Sequence, residues 1–281
     1  MKLSPQADVF VPDALGGPEA FSRTTHLGIG AHQDDLEFMA FHGILACYDQ
    51  TDHWFGGVIM TDGRGSSRLG VYRDWTDAQM AAERVQEQRR AATLGQYSFV
   101  AQLGYASEDV RLKQAEASRT EILSILNATR PKVVYVHNLA DKHDTHVGCA
   151  LRCIEALRLL PRDQRPEKVY GCEVWRDLDW LVDDEKTPMP ISGRPELAQQ
   201  LNAIFATQIA GGKRYDLAVL GRRTANATFS NAHNSDRETS MQWAMDLTPL
   251  IQDDTLDPLT YVTGFVDRLK SDITARIRRS L

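Results

Sequence analysis

Four short apolar runs, "HLGIGAH", "HWFGGVIMTDG", "KVVYVHN" and "KVYGCEVW", alternate with longer stretches whose apolar residues recur at helical spacing, and this alternation constrains the fold more than any other feature. Each run is bounded by Gly, Asn, Asp or charge, as strands are. Between them, "TDAQMAAERVQEQRRAATLG" is rich in strong helix formers and stops on Gly95, and "SEDVRLKQAEASRTEILSILNAT" stops before Pro131. The "VVYV" run is apolar at every position, the mark of a strand covered on both faces of a parallel sheet. The expected fold is therefore α/β: a Rossmann-like, mostly parallel sheet flanked by helices in three α/β/α layers. Such folds take their ligands beyond the carboxyl ends of the strands.

With 281 residues, 42% of them hydrophobic, the chain is long enough to bury a core of that kind. Residues 1–25 read as a Pro/Gly-punctuated lead-in and 26–281 as a single domain. The stretch from about 176 to 215 is irregular, with "DDEKTPMPISGRPE" read as loop and "ELAQQLNAIFATQ" as helix. The last stretch, "PLTYVTGFVDRLKSDITARIRRSL", reads as an amphipathic helix whose basic end suits the helix dipole. A formal net charge of -6 gives no general attraction to phosphate backbones, so nucleic acid is not an expected partner. No apolar segment approaches the ~20 residues that cross a bilayer, and the first residues lack a secretory apolar core, so a cytoplasmic protein without a membrane span is expected. Cys47, Cys149, Cys153 and Cys172 show no CxxC spacing and read as buried thiols.

Both "GIGAH" and "VVYVH" end on a histidine at the sheet edge where ligands are expected. After the first come Asp34 and Asp35. The second opens "HNLADKHDTHVG", which holds His137, Asp141, His143, Asp144 and His146. His32 and Asp35 are three apart at a strand-to-helix turn and are able to converge, while Asp34 between them aims elsewhere. His143 and His146 are also three apart. Imidazoles with a carboxylate are zinc-type ligands, and a catalytic zinc keeps three protein ligands and one open position for water. A further carboxylate is able to take the proton of that water as it attacks a carbonyl.

"AHQDDLE" together with "DKHDTH" resembles the paired motifs of the LmbE-like, PIG-L deacetylase family, zinc enzymes that remove an acetyl group from an N-acetylglucosaminyl moiety. "VIMTDG" fits the family's second strand, "RVQEQRRAATLG" its Arg-x-x-Glu helix, and "CEVW" a later strand. The resemblance implies His32, Asp35 and His146 as metal ligands and Asp34 as general base. It gives His143 the oxyanion or the leaving amine, and Arg84 a contact with substrate. Asp141 is placed to orient His143. The implied cofactor is zinc, with Fe(II) also suited to the ligand set. The implied substrate is a small N-acylated amino sugar or conjugate, and a homo-oligomer is compatible with the chain. The sequence departs from the family at Gln33, where proline is usual, at Asp144-Thr145, at the displaced acid Glu37, and at "FHG" in place of Gly-Gly. These departures spare every implied ligand and bear on substrate choice.

Blander readings compete. Two acids after a strand are able to cap a helix, but the second His-x-x-His at the same edge weighs against a cap alone. Gly28 and Gly30 lack the third glycine of a dinucleotide fingerprint, which argues against a nucleotide-dependent oxidoreductase. His26, His42, His53 and His137 read as structural and His233 as a solvated loop residue. Arg84 with Glu87 also fits an ordinary helical ion pair, and Arg222 and Arg223 fit a solvated turn or a substrate contact. The alternative function is a non-hydrolytic, metal-containing sugar-binding protein of the same fold.

Overall fold

The apolar runs lie side by side. The computed structural model describes residues 1–113, 115–229 and 235–281. Among these, eight strands form one sheet: β1 (Asp8–Phe10), β2 (His26–Gly30), β3 (Phe55–Thr61), β4 (Phe99–Tyr105), β5 (Val133–His137), β6 (Lys168–Cys172), β7 (Thr187–Pro190) and β8 (Met241–Asp246). Their order is β1-β4-β3-β2-β5-β6-β8-β7. The five central strands run parallel. Both rims are antiparallel, with β1 on β4, and β8 between β6 and β7. The fold is thus the expected α/β arrangement with a mixed sheet.

Side chains alternate across the central strands and feed two cores. Leu27, Ile29, Val58, Met60, Val134 and Val136 pack with the helices Glu116–Thr129 and Asp144–Leu159 on one face. Phe55, Ile59, Val100 and Tyr135 pack on the other with the helices Phe41–Cys47, Asp77–Leu94 and Pro195–Ala203. That makes three layers, and it explains why β3 is buried along its whole length.

Chain order and spatial order part company at β2. The chain passes from β2 outward through β3 and β4, then returns to lay β5 on the other side of β2. Diverging connections leave a crevice at the carboxyl ends of such a strand pair. The two histidine motifs follow β2 and β5, so topology alone brings them together.

Several elements differ from the sequence expectation. The stretch 107–129 is two helices, Ser107–Arg111 and Glu116–Thr129, not one. "GRRTANATF" is not a turn: Arg222 and Arg223 lie within the helix Tyr215–Ala227. Residues 8–10 of the N-terminal segment join the sheet as β1, and the helix Gly17–Ser22 follows. No helix among the described residues is long and apolar enough to cross a membrane.

Candidate active site

The turn after β2 sets the geometry. Ala31 donates its amide to His137 Nε2 at 2.9 Å, and the His32 amide donates to Asp35 Oδ2 at 2.6 Å. Asp34 then takes a left-handed conformation, φ 84° and ψ -29°, immediately before the helix Asp35–Met39. A residue with a Cβ adopts this region at a cost. Its effect is to part the two neighbouring carboxylates: Asp35 turns to the histidines and Asp34 to Arg84.

One ligand atom from each of His32, Asp35 and His146 lies within 4.8 Å of the others. His32 Nδ1 is 3.4 Å from Asp35 Oδ2, and His146 Nε2 is 3.5 Å from Asp35 Oδ1. His146 is fully buried, yet neither of its ring nitrogens has a hydrogen-bond partner among the described residues. Buried polar atoms are rarely left so. Two imidazoles and a carboxylate, one imidazole otherwise orphaned, form a donor set that suits a divalent cation.

Asp141 departs from its expected contact. Its Oδ1 accepts from the His143 backbone amide at 2.9 Å, and its Oδ2 from the amides of Trp175 and Arg176. The ring it approaches is that of His146, with Oδ1 3.6 Å from Nδ1. It therefore stands behind the buried histidine and not behind the His143 imidazole. His143 instead caps the helix Asp144–Leu159, its Nδ1 accepting from the Thr145 amide at 3.3 Å. That bond commits the Nδ1 lone pair and leaves the proton on Nε2.

Electrostatics separates the two acids. Burial lifts the Asp34 carboxyl well above the usual carboxylate range; the Arg84 guanidinium pulls against this, and the charges of Asp35 and Glu37 reinforce it. Burial also lifts Asp35, but the imidazoles of His146 and His137 outweigh it and hold this carboxyl well below that range. Burial and His137 bring His146 down to about 3, and burial with His32 lowers His143. The site thus combines two imidazoles, His143 and His146, biased to the neutral form, one carboxylate held ionised and one that holds a proton more readily. Environments that push paired groups apart in this way are typical of acid-base sites.

Arg84 is 1% exposed. It donates to Asp34 Oδ2 at 3.3 and 3.4 Å and to the Gln33 carbonyl. It borders the cavity; these contacts use both terminal nitrogens, while Nε has no partner among the described residues. His137 stacks on His146 at 3.8 Å between ring centroids, nearly parallel. His42 pairs with the Tyr135 hydroxyl. His26 contacts Thr25 and His53 contacts Asp52, while His233 lies outside the described residues. Arg223 is buried and donates to the carbonyls of Glu37 and Phe38 at the end of the helix that Asp35 begins.

Above this floor opens a cavity of about 640 Å3. Ser66, Ser67, Trp175, Tyr215 and Val219 form much of its wall, and Arg111, Lys213 and Arg222 also line it. No pattern in the sequence marked Trp175, Lys213 or Tyr215, because their approach depends on how the irregular stretch folds back over the sheet edge.

Residues 27–157 match the PIG-L family, described as GlcNAc-PI de-N-acetylase. No curated protein sequence matches the chain significantly. Among solved structures, the chain is similar to an N,N'-diacetylchitobiose deacetylase from Pyrococcus horikoshii, with 16% identity and a TM-score of 0.61 over 82% of this chain and 86% of that one. It is also similar to GalB, the 4-carboxy-2-hydroxymuconate hydratase of Pseudomonas putida KT2440, at 16% identity and TM-score 0.58 over 80% and 95% of the two chains. A third is the A40926 pseudoaglycone deacetylase Dbv21, at 14% identity and TM-score 0.54 over 80% and 97%. At these identities the likeness is one of fold. The fold carries both deacetylases and a hydratase, so the reaction has to be argued from the site.

Proposed function

We propose, from the match of residues 27–157 to the PIG-L family and from the geometry of the site, that this protein hydrolyses the N-acetyl or N-acyl amide of an amino sugar or glucosaminyl conjugate. The observation that carries this reading is the separation of two adjacent carboxylates, one among three histidines and the other held by an arginine at the cavity floor. His32, Asp35 and His146 would hold the divalent metal, zinc foremost, with Fe(II) suited to the same set. When bound, such a cation supplies Lewis acidity, polarising a carbonyl and easing the deprotonation of water.

Asp34 takes the proton of the attacking water, a task served by a carboxyl whose affinity for protons is raised. His143 donates from Nε2 to the amide oxygen as negative charge develops there, the kind of preorganised stabilisation that contributes most to such reactions. The C-N bond then breaks as Asp34 delivers to the departing amine the proton it took from the water, while His143 keeps its Nε2 proton on the oxygen. The products are a carboxylate, acetate for an acetyl substrate, and the free amine. Asp141 steadies His146, and Arg84 holds Asp34 at the cavity wall, where a contact with substrate also remains assigned to it. The reading takes 26–281 as one catalytic domain acting on a small cytoplasmic molecule. A sugar-binding protein without turnover would have no use for a carboxylate kept off the cation site.

Amine release from a panel of N-acetylglucosaminyl compounds tests it, using purified protein stripped of metal and then restored with zinc. Release should follow the metal and fall by about 10²–10⁴-fold in Asp34→Asn with metal content unchanged. Release that ignores metal, or an Asn variant with ordinary kcat, would overturn the assignment.

A further inference from the structure

We propose that Gln88 is a positioning residue for Asp34, acting through the Asp34 backbone amide. The inference rests on the reading of Asp34 as general base. Gln88 is 0% exposed, and its Oε1 accepts from the Asp34 amide at 3.2 Å. Its Nε2 donates to Glu37 Oε1 at 2.8 Å, and the same oxygen accepts from the Tyr97 hydroxyl at 2.6 Å. Glu37 and Tyr97 are 0% and 1% exposed, and the Tyr97 ring packs edge-on against Phe55.

This chain of contacts permits one orientation of the Gln88 amide. Turned over, it would set its carbonyl oxygen against a carboxylate and its NH2 against an N–H, two repulsions in place of two hydrogen bonds. The buried Glu37 therefore aims Gln88 Oε1 at Asp34. The bond matters because Asp34 is left-handed: its amide precedes the helix that starts at Asp35, where backbone donors have no intrahelical partner, and Gln88 supplies a buried acceptor. An acceptor at that point favours the very conformation that parts the two carboxylates.

Gln88 does not act alone. It lies four residues from Arg84 on the helix Asp77–Leu94, so both stand on one face of it. Arg84 holds the carboxylate of Asp34 and Gln88 holds its backbone. Two grips from one rigid element fix the direction of the base, although Asp34 itself belongs to a turn.

The test compares Gln88→Met, which keeps length and loses both bonds, with Gln88→Glu, which keeps an acceptor for the Asp34 amide. We expect Gln88→Met to lose about 10²-fold in kcat, the scale of a small misplacement of a catalytic group, with KM and metal content unchanged. Gln88→Glu, protonated on the oxygen that faces Glu37, should recover much of that loss. In an Asp34→Asn background, Gln88→Met should cost nothing further. Hydrogen exchange of the Asp34 amide gives a readout that needs no turnover: protection should be lost in Gln88→Met and kept in Gln88→Glu. Unchanged kcat, a loss matched by metal loss or raised KM, or undiminished protection of the amide would each overturn the proposal. If the wild type releases no amine from any compound, the hydrolase reading fails while amide exchange still decides the positioning role. Should Gln88→Met not fold, Tyr97→Phe loosens the far end of the chain of contacts; unchanged Asp34 protection and kcat there would overturn it as well.

Discussion

Asp34 and Asp35 are joined by one peptide bond and live in different electrostatic worlds. The left-handed turn at Asp34 is the cause, and Arg84 is the charge that makes burial of Asp34 tolerable. Removing one partner of a buried ion pair leaves the other uncompensated. We therefore expect Arg84→Met to lower stability by about 3–5 kcal/mol in urea titrations, and to lower kcat, with metal retained. Adding Asp34→Asn to that variant should restore part of the stability, because no lone charge remains; a double variant weaker than the single one would refute the pairing. At this scale the clustering of the residues proposed to hold a cation was legible. His32, Asp35 and His146 stand in local motifs whose spacing survives folding, and the structure does bring their side chains together. His137 was read as a structural histidine and does accept from the Ala31 amide, and Arg223 was read as a turn or substrate contact; Gln88 was not legible, since it stands in no motif and meets Asp34 across more than fifty residues of chain.

Elements were legible to the extent that one face of each is plainly apolar. The four central runs and the helix Asp77–Leu94 announce themselves. β7, with two prolines in four residues, does not, and neither does the helix Tyr215–Ala227, in which "GRR" imitates a turn. Gly221 in that helix is exposed, and a Cβ added there would meet no atom within 4 Å. It stays helical because Arg223, Asn226 and Ala227 on the same helix are buried. Gly221→Ala should accordingly raise stability by about 0.5–1 kcal/mol, seen as a higher denaturation midpoint at constant m. A destabilised Ala variant would mean that the glycine is needed for more than its lack of a side chain. Gly148 is the opposite case: a Cβ there would approach the Val110 carbonyl to 2.8 Å, so this glycine is what lets the helix Asp144–Leu159 press against its neighbour.

At the scale of the whole molecule, stability should depend on pH through Glu173, which ties β6 to β8 and to the helix Tyr215–Ala227. It accepts from the amides of Trp243 and Leu178 and from Asn226, yet burial outweighs these donors and pushes its carboxyl from the ordinary 4.5 to about 7. The folded state then holds this proton more tightly than the unfolded chain. Stability therefore falls as pH rises from about 4.5 to about 7 and levels off above, where the carboxylate is ionised in both states. Glu173→Gln should make that slope in Tm shallower across this window, with the buried Glu37 carboxyl, also pushed up to about 7, supplying part of what remains; an unchanged slope would assign the dependence to other groups.

The antiparallel rims of the sheet have a consequence for how this protein behaves in a crowd. An open parallel sheet ends in rows of unpaired amides and carbonyls that invite strands from other chains. Here one rim closes with the three residues of β1, too short to template a partner, and the other with β7, where Pro188 and Pro190 have no N–H to offer. The aggregation-prone surface of the fold is finished off at both ends by the chain itself, so copies that associate have to meet through helices and loops rather than by extending the sheet.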